Sequence, residues 1–242
     1  GAVFNATLDQ VRLGKQNGGG GEGNGTLSFD AGTVSANSIM LADGNRSWGT
    51  INFAGGEFTV GTLSKGTGTA AFNWTGGTLH AGTVNMDVLQ QGGVLAPGQS
   101  PGTTTINGVY TLDSAEPENP GKVQIELVAA ASDQVVVNGA VNLLGGGLEL
   151  LMWQGFQPAE MSSYVILAND GSDPIQGIFD GLPEGTVFHA GGASNAFAIT
   201  YVGGTGNDIE LTAVPEPASA LLVMLAVPAV AARLRRRMRA RL

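Results

Sequence analysis

The sequence predicts an all-β protein: a β-solenoid, a β-rich C-terminal section, and a single hydrophobic helix at the end. Three observations predict it. Glycine fills 39 of 242 positions, interleaved with Val, Leu, Ile, Phe and Thr rather than with serine, so tight turns separate short β-forming runs. Related segments recur at spacings in the low twenties. No helical apolar period of any length precedes residue 213.

The repeat is clearest in "GTLSFDAGTVSANSI" (25–39), "GTINFAGGEFTVGTL" (49–63) and "GTAAFNWTGGTLHAGTV" (68–84). Each opens with Gly-Thr, passes through an apolar strand and a glycine turn, and continues into two further short strands. "VLQQGGVL" (88–95) is a degraded fourth copy. Phe29, Phe53 and Trp74 fall at equivalent places. One unit of this length is one coil, and coils stack at roughly 4.8 Å. Alternation then turns Leu27 and Phe29, Ile51 and Phe53, and Phe72 and Trp74 inward. Gly32, Gly55, Gly56, Gly76, Gly77, Asn37 and Asn73 are expected at the corners. Hairpins of a sandwich are the competing arrangement, which leaves the recurrent Gly-Thr starts unexplained.

The chain divides into four stretches. Residues 1–24 form an N-terminal edge or cap that ends in the glycine run "NGGGGEGNG". Residues 25–95 are the solenoid repeats. From 96 to 212 the strands lengthen, beginning after two Pro-Gly turns (97–98 and 101–102); whether 104–212 continues the solenoid stays open. Residues 213–242 are unlike the rest. Gly1 opens directly in "GAVFNATLDQV" without a leader pattern, consistent with a removed leader or a fragment.

Residues 92–212 resemble the passenger regions of autotransporter-like bacterial surface proteins. The likeness lies in a series: "GGVLAPGQSPGTTTINGVYTL", "IELVAAASDQVVVNGAVNLLGGGLEL", "YVILANDGSDPIQGIFDGLP" and "YVGGTGNDIELT". It implies a right-handed parallel β-helix ending in a β-rich stretch. No translocator barrel of long alternating strands follows within the sequence.

The last stretch, "VPEPASALLVMLAVPAVAARLRRRMRARL", joins an extended Pro-Glu-Pro triplet to fifteen nearly all apolar residues and six arginines. As a helix the apolar run spans roughly 22 Å, short of a bilayer core unless Leu234 and snorkelling arginines extend it. Cationic flanks stay in the cytoplasm, which puts the preceding body outside. The order resembles the PEP-CTERM sorting signal of Gram-negative bacteria. That resemblance implies Pro215, Glu216 and Pro217 as recognition residues for an exosortase-type membrane enzyme. Arg233, Arg235, Arg236, Arg237, Arg239 and Arg241 are the topology-setting charges. A plain tail anchor and a helix docked on the body are the simpler alternatives.

Charge follows the same division. Residues 1–212 hold five basic and 19 acidic side chains, a net −14, whereas 213–242 hold six arginines and Glu216, a net +5. An acidic body with five scattered cations is unsuited to nucleic acid. The absence of cysteine excludes disulfides, thiolate metal sites and Cys nucleophiles. No catalytic residue, cofactor or metal is assigned. "GGTGNDIEL" (203–211) matches one calcium β-roll nonapeptide, with Asp208 the candidate ligand, but a β-roll site needs adjacent repeats. Asp170 and Asp173 in "NDGSD" are a second such candidate; a solvated turn is the simpler reading of both. His80 and His189 stand alone in strand patterns. The repeat-region acids Asp30, Asp43, Glu57 and Asp87, with Arg46 and Lys65, form no stripe of catalytic type. Trp74 and Trp153 are expected to pack, and Trp48 in "NRSWG" is the surface candidate.

The expectation is an exported, non-catalytic structural or adhesive protein. It would be anchored in the inner membrane before processing, and then lie at the cell surface or in an extracellular polysaccharide matrix. A secreted carbohydrate-active β-helix enzyme and a lectin-like polysaccharide-binding module are the alternatives. An acid pair in a groove would favour the first, and an exposed Trp48 beside polar corners the second.

Overall fold

The computed structural model describes residues 4–16, 20–99, 101–113, 119–128, 132–190 and 195–215. Five strands open the chain: β1 (Phe4–Lys15), β2 (Gly23–Phe29), β3 (Gly32–Asp43), β4 (Ser47–Lys65) and β5 (Thr69–Asn85). Shorter ones follow: β6 (Val88–Gln90), β7 (Val94–Leu95), β8 (Thr103–Ile106) and β9 (Tyr110–Leu112). Next come β10 (Lys122–Leu127), β11 (Gln134–Val137), β12 (Val141–Leu143) and β13 (Gly147–Met152). A 3-10 turn (Trp153–Gly155) leads to β14 (Ser163–Asn169), β15 (Gln176–Gly177), β16 (Val187–His189), β17 (Ala196–Gly203) and β18 (Asp208–Val214).

Through β15 these strands wind into a three-faced β-solenoid of about six turns. The first face carries the starts of β1 and β3, the middles of β4 and β5, then β7, β10 and β13. The second carries the ends of β1, β3, β4 and β5, then β8, β11 and β14. The third carries β2, the starts of β4 and β5, then β6, β9, β12 and β15. Every one of these pairings is parallel. The ladder continues well past residue 95, which answers the question left open for the longer strands.

The inward stacks are those the repeat predicts. Leu27, Ile51 and Phe72 stand in register, as do Phe29, Phe53 and Trp74. Ile51, Phe53 and Trp74 are fully buried, Phe29 and Phe72 nearly so, and Leu27 packs half-buried against them. Ring centroids lie 4.8 Å apart for Phe29–Phe53 and 6.1 Å for Phe53–Trp74, both stacked. Phe58 meets Phe53 edge-on at 5.6 Å. Such pairs add about 0.5–1.5 kcal/mol each beyond the area they bury.

The aromatic stack ends at Gln90, the register partner of Trp74. This buried amide is fully used. Its Nε2 donates to the carbonyls of Gly93 (2.9 Å) and Lys122 (3.0 Å), and its Oε1 accepts the Tyr110 hydroxyl at 2.7 Å. Tyr110 is itself fully buried, and that burial pushes its ionisation far above the ordinary tyrosine range, so it stays a neutral donor.

Backbone polarity obeys one rule around the coil. Buried residues turn their carbonyls toward the next coil: Trp74 accepts from the Gln91 amide (3.0 Å), Leu79 from Ala96 (3.0 Å), Val84 from Asn107 (2.7 Å) and Ile106 from Asn138 (2.8 Å). Outward residues therefore turn theirs toward the preceding coil.

At the corner from third to first face, Gly32, Gly56, Gly77 and Gly93 repeat with φ of 86°, 87°, 79° and 75°. A Cβ on Gly56 would also strike the Gly32 carbonyl, and one on Gly93 the Gly77 carbonyl. Gly55 and Gly76 lack the left-handed φ but sit equally close to the backbone of the coil before. Asn37 marks the corner from first to second face, where strand pairing is interrupted. Asn73 differs from expectation. It lies within the third-face strand and points outward, because alternation between the inward Phe72 and Trp74 places it there.

After β15 the parallel pattern stops. β18 pairs antiparallel with β14 and β17, and β17 antiparallel with β16. Tyr201 ties this sheet down: its hydroxyl donates to the Leu182 carbonyl (2.7 Å) and accepts the Phe179 amide (3.0 Å), while burial raises its pKa to about 12.

Two substitutions test this packing in urea unfolding followed by tryptophan fluorescence. Gly56→Ala is expected to cost at least about 1–2 kcal/mol, from backbone strain plus the carbonyl clash. Tyr110→Phe is expected to cost about 1–3 kcal/mol by leaving the buried Gln90 oxygen without a donor.

Candidate functional site

The outer surface is organised by the same register as the core. Asn52 donates from Nδ2 to Ser28 Oγ (2.9 Å), and Asn73 from Nδ2 to Asn52 Oδ1 (2.8 Å). A second amide ladder joins Asn138 to Asn107 (2.7 Å) and Asn107 to Asn85 (2.6 Å). Arg12 pairs with Asp43 (2.7 Å), Arg46 with Glu22 (3.3 Å), and His80 Nε2 lies 3.2 Å from Glu57 Oε2. Each of these contacts links neighbouring coils, so the repeat-region acids Asp43 and Glu57 are matched singly to basic partners. Among the described residues no group of three or more His, Asp or Glu is placed to hold a metal ion.

The aromatic candidates separate. Trp74 is in the core, as expected. Trp48 is 43% exposed on the third face, beside Asn24 and Thr69 in register. Trp153 is expected to pack but is 44% exposed, because the chain leaves the coil at the 3-10 turn that follows β13. His189 is exposed in β16.

A step in the solenoid opens a cleft of about 410 Å³ on the third face, lined by Lys65, Ala70, Phe72, Met86, Asp87 and Leu89, among others. Only 16 residues separate Trp74 from its partner Gln90, against 21 between Phe53 and Trp74. The short coil leaves the start of β5 without a strand on its upper side among the described residues.

The two turns considered for calcium are brought together. Asp208 is 4% exposed. Its Oδ1 accepts the Asn169 amide (2.8 Å), and its Oδ2 accepts the Thr205 amide (2.8 Å) and hydroxyl (3.1 Å). Asn207 Nδ2 donates to the carbonyls of Asp170 (3.0 Å) and Asp173 (3.2 Å). The oxygens a cation would use on Asp208 are thus engaged by donors that lock the 203–208 turn onto the end of β14.

Glu126 and Asp133 lie together at the corner from first to second face. Asp133 is 1% exposed, and its oxygens accept the amides of Gly102 (2.6 Å) and Glu126 (2.9 Å). Burial raises its pKa; the two amides and His80 oppose the rise, and the Glu126 carboxylate adds to it. Held this way, Asp133 fastens the loop before β8 to β10 and faces no open groove. Neither Asp133 nor Gln90 stood out in the sequence. Their signal was a polar residue within or beside an alternating strand, a pattern that surface residues share.

Pro215 follows β18 directly and closes the described chain. Glu216, Pro217 and Arg233, Arg235, Arg236, Arg237, Arg239 and Arg241 lie outside the described residues, as does the expected hydrophobic helix. No helix among the described residues is long and apolar enough to cross a membrane. Comparison with protein-family models, with curated proteins and with solved structures returns no match for this chain.

Two measurements check the polar clamps. Asp208→Ala is expected to cost about 2–4 kcal/mol by stranding the amides of Asn169 and Thr205, while added calcium leaves the wild-type melting temperature unchanged. A calcium-dependent rise would return Asp208 to the metal reading. Asp133 has a folded pKa above its unfolded 3.8, so its stabilising effect is full below that value and is lost as pH rises through the folded pKa. Wild type is therefore expected to gain stability relative to Asp133→Asn as pH falls from neutral toward 4, measured by urea midpoints across that range.

Proposed function

We propose that this chain is an exported, non-catalytic structural or adhesive protein of a Gram-negative bacterium, carried to the cell surface or the extracellular matrix by its C-terminal segment. The observation that carries the reading is the parallel ladder that runs from β1 to β15. Its outward Asn, Arg and His side chains make contacts between neighbouring coils. A rod of this kind presents a long surface of low charge density and resists proteolysis, since its backbone groups are paired between coils. We infer right-handed winding from the strong bias of parallel crossovers.

The sorting part of the proposal rests on residues 213–242 of the sequence. Pro215, Glu216 and Pro217 are the recognition triplet, the apolar run is the transient membrane helix, and the six arginines hold its end in the cytoplasm. The partner is an exosortase-type membrane enzyme, and the inner membrane is a way-station.

A second reading, a polysaccharide-binding module, is favoured by Trp48. A half-exposed indole on a flat strand face, flanked by Asn24 and Thr69, suits stacking on a sugar ring.

Expression in a host that carries an exosortase, with mass spectrometry of the mature protein, tests the sorting reading. Loss of residues from around Pro215 onward is the expected result; an intact Leu242 on a soluble cytosolic product would sink it. For the second reading, Trp48→Ala is expected to abolish binding to acidic and neutral oligosaccharides on an array, with an unchanged circular dichroism spectrum.

A further inference from the structure

β14 ends at Asn169, and the segment that follows, "NDGSDPIQ" (169–176), holds the one Asp-Pro step in the sequence, Asp173–Pro174. Gly171, with φ of 60°, folds this segment back, so the Asp173 carbonyl returns to the Asn169 side chain. Antiparallel pairing of β14 with β18 sets the 203–208 turn against the same place.

Two side-chain amides meet there on one backbone oxygen. Asn169 Nδ2 donates to the Asp173 carbonyl at 2.8 Å, and Asn207 Nδ2 donates to it at 3.2 Å. Both asparagines are more than nine-tenths buried, at 6% and 4% exposed. Both are also held from behind. Asn207 Oδ1 accepts the Thr205 hydroxyl (2.8 Å), which fixes the amide with its nitrogen toward the carbonyl, and Asp208 Oδ1 accepts the Asn169 backbone amide (2.8 Å). Asn169 Oδ1 is buried and has no hydrogen-bond partner. An idle buried acceptor is costly, yet a flipped amide would set that oxygen against the Asp173 carbonyl, so the side chain is committed to donating here.

The bond beyond that oxygen is open to water. Asp173 and Pro174 are both exposed, and no donor among the described residues reaches the Asp173 carboxylate. One carbonyl thus has a carboxylate nucleophile on its own residue, two fixed donors at its oxygen, and a tertiary amide nitrogen as leaving group. These are the parts that acyl transfer needs.

We propose that the chain cuts its own backbone between Asp173 and Pro174, with Asp173 as nucleophile and Asn169 and Asn207 holding the oxyanion. Rotation about Cα–Cβ brings an Asp173 carboxylate oxygen onto the residue's own carbonyl carbon, closing a five-membered ring. As that C–O bond forms, the carbonyl electron pair moves onto the oxygen held by the two amides. When the pair returns, the bond to the Pro174 nitrogen breaks and that nitrogen takes a proton from water. The hydroxide so formed opens the cyclic anhydride, leaving Asp173 with a side-chain and a terminal carboxyl group and Pro174 as a free amine. One water is consumed and nothing is oxidised or reduced. The event is a single turnover within the chain, separate from any action on other molecules. It falls between the parallel ladder and the cap. Pairing of β14 with β18 and the shared core keep the pieces together, so residues 174–242 then hold the body by noncovalent contacts alone.

Purified full-length chain is incubated at neutral pH and followed on a denaturing gel and by mass spectrometry. The expected products are residues 1–173 and 174–242, formed at least about a hundredfold faster in the folded chain than in the same chain unfolded in urea. Hydroxylamine in the same incubation opens the anhydride in place of water and leaves a hydroxamate on Asp173, which separates this route from a contaminating protease. Asp173→Ala is expected to stop the cut. Asn207→Asp keeps an oxygen for Thr205 but puts a carboxylate where the donor was. It is expected to slow the cut at least about a hundredfold with an unchanged circular dichroism spectrum. An intact Asp173–Pro174 bond in the folded chain, equal rates in folded and unfolded chain, fragments without hydroxamate, or an unslowed Asn207→Asp would each overturn the proposal.

Discussion

A coil of parallel strands cannot satisfy its own backbone. Each rung here gives the carbonyls of its inward residues to the rung above and those of its outward residues to the rung below. The hydrogen-bonding capacity of any rung is therefore met only by its neighbours. Much of the rest depends on this constraint. It demands a coil-to-coil register strict enough to stack Phe29, Phe53 and Trp74. It brings successive backbones so close at one corner that only glycine fits at Gly56 and Gly93.

The C-terminal end meets the constraint by changing strand direction. β18 runs antiparallel to β14, and the 203–208 turn is locked to the end of that strand by Asp208 and Asn207. The same carboxylate that looks in sequence like a cation ligand is needed as a hydrogen-bond acceptor at a junction between two kinds of sheet. Asp133 has an equivalent place at a corner, where it fastens a protruding loop to the coil above. The two buried acids, Asp133 and Asp208, hold turns in position.

Legibility in the sequence followed the regularity of the coils. Between residues 25 and 85 register partners lie 21 to 24 residues apart, and the inward positions, the glycine corner and the Gly-Thr starts were all readable. Beyond that point loops enter at the corners. The separation between register partners ranges from 16 residues for Trp74 and Gln90 to 34 for Asn142 and Gln176, so the repeat is hidden although the ladder persists. Gln90 was illegible for another reason: its burial depends on Tyr110, twenty residues away. Trp153 failed as a core residue because the strand pattern gave no hint that the chain departs from the coil there. Of the candidate site, the meeting of "NDGSD" with "GGTGND" was invisible, since it is made by the antiparallel turn of the cap. The sorting reading, by contrast, came from local order alone.

The central claim is the in-register stacking of successive coils, and a pair of engineered disulfides tests it most directly. Asn52→Cys combined with Asn73→Cys places two sulfurs on adjacent coils with Cα atoms about 5 Å apart. Asn52→Cys combined with Ala71→Cys keeps the same outward face but slips two residues, to about 8 Å, beyond disulfide reach. The account predicts rapid, near-complete closure of the first pair and none of the second. Closure of both, of neither, or of the slipped pair alone would contradict it.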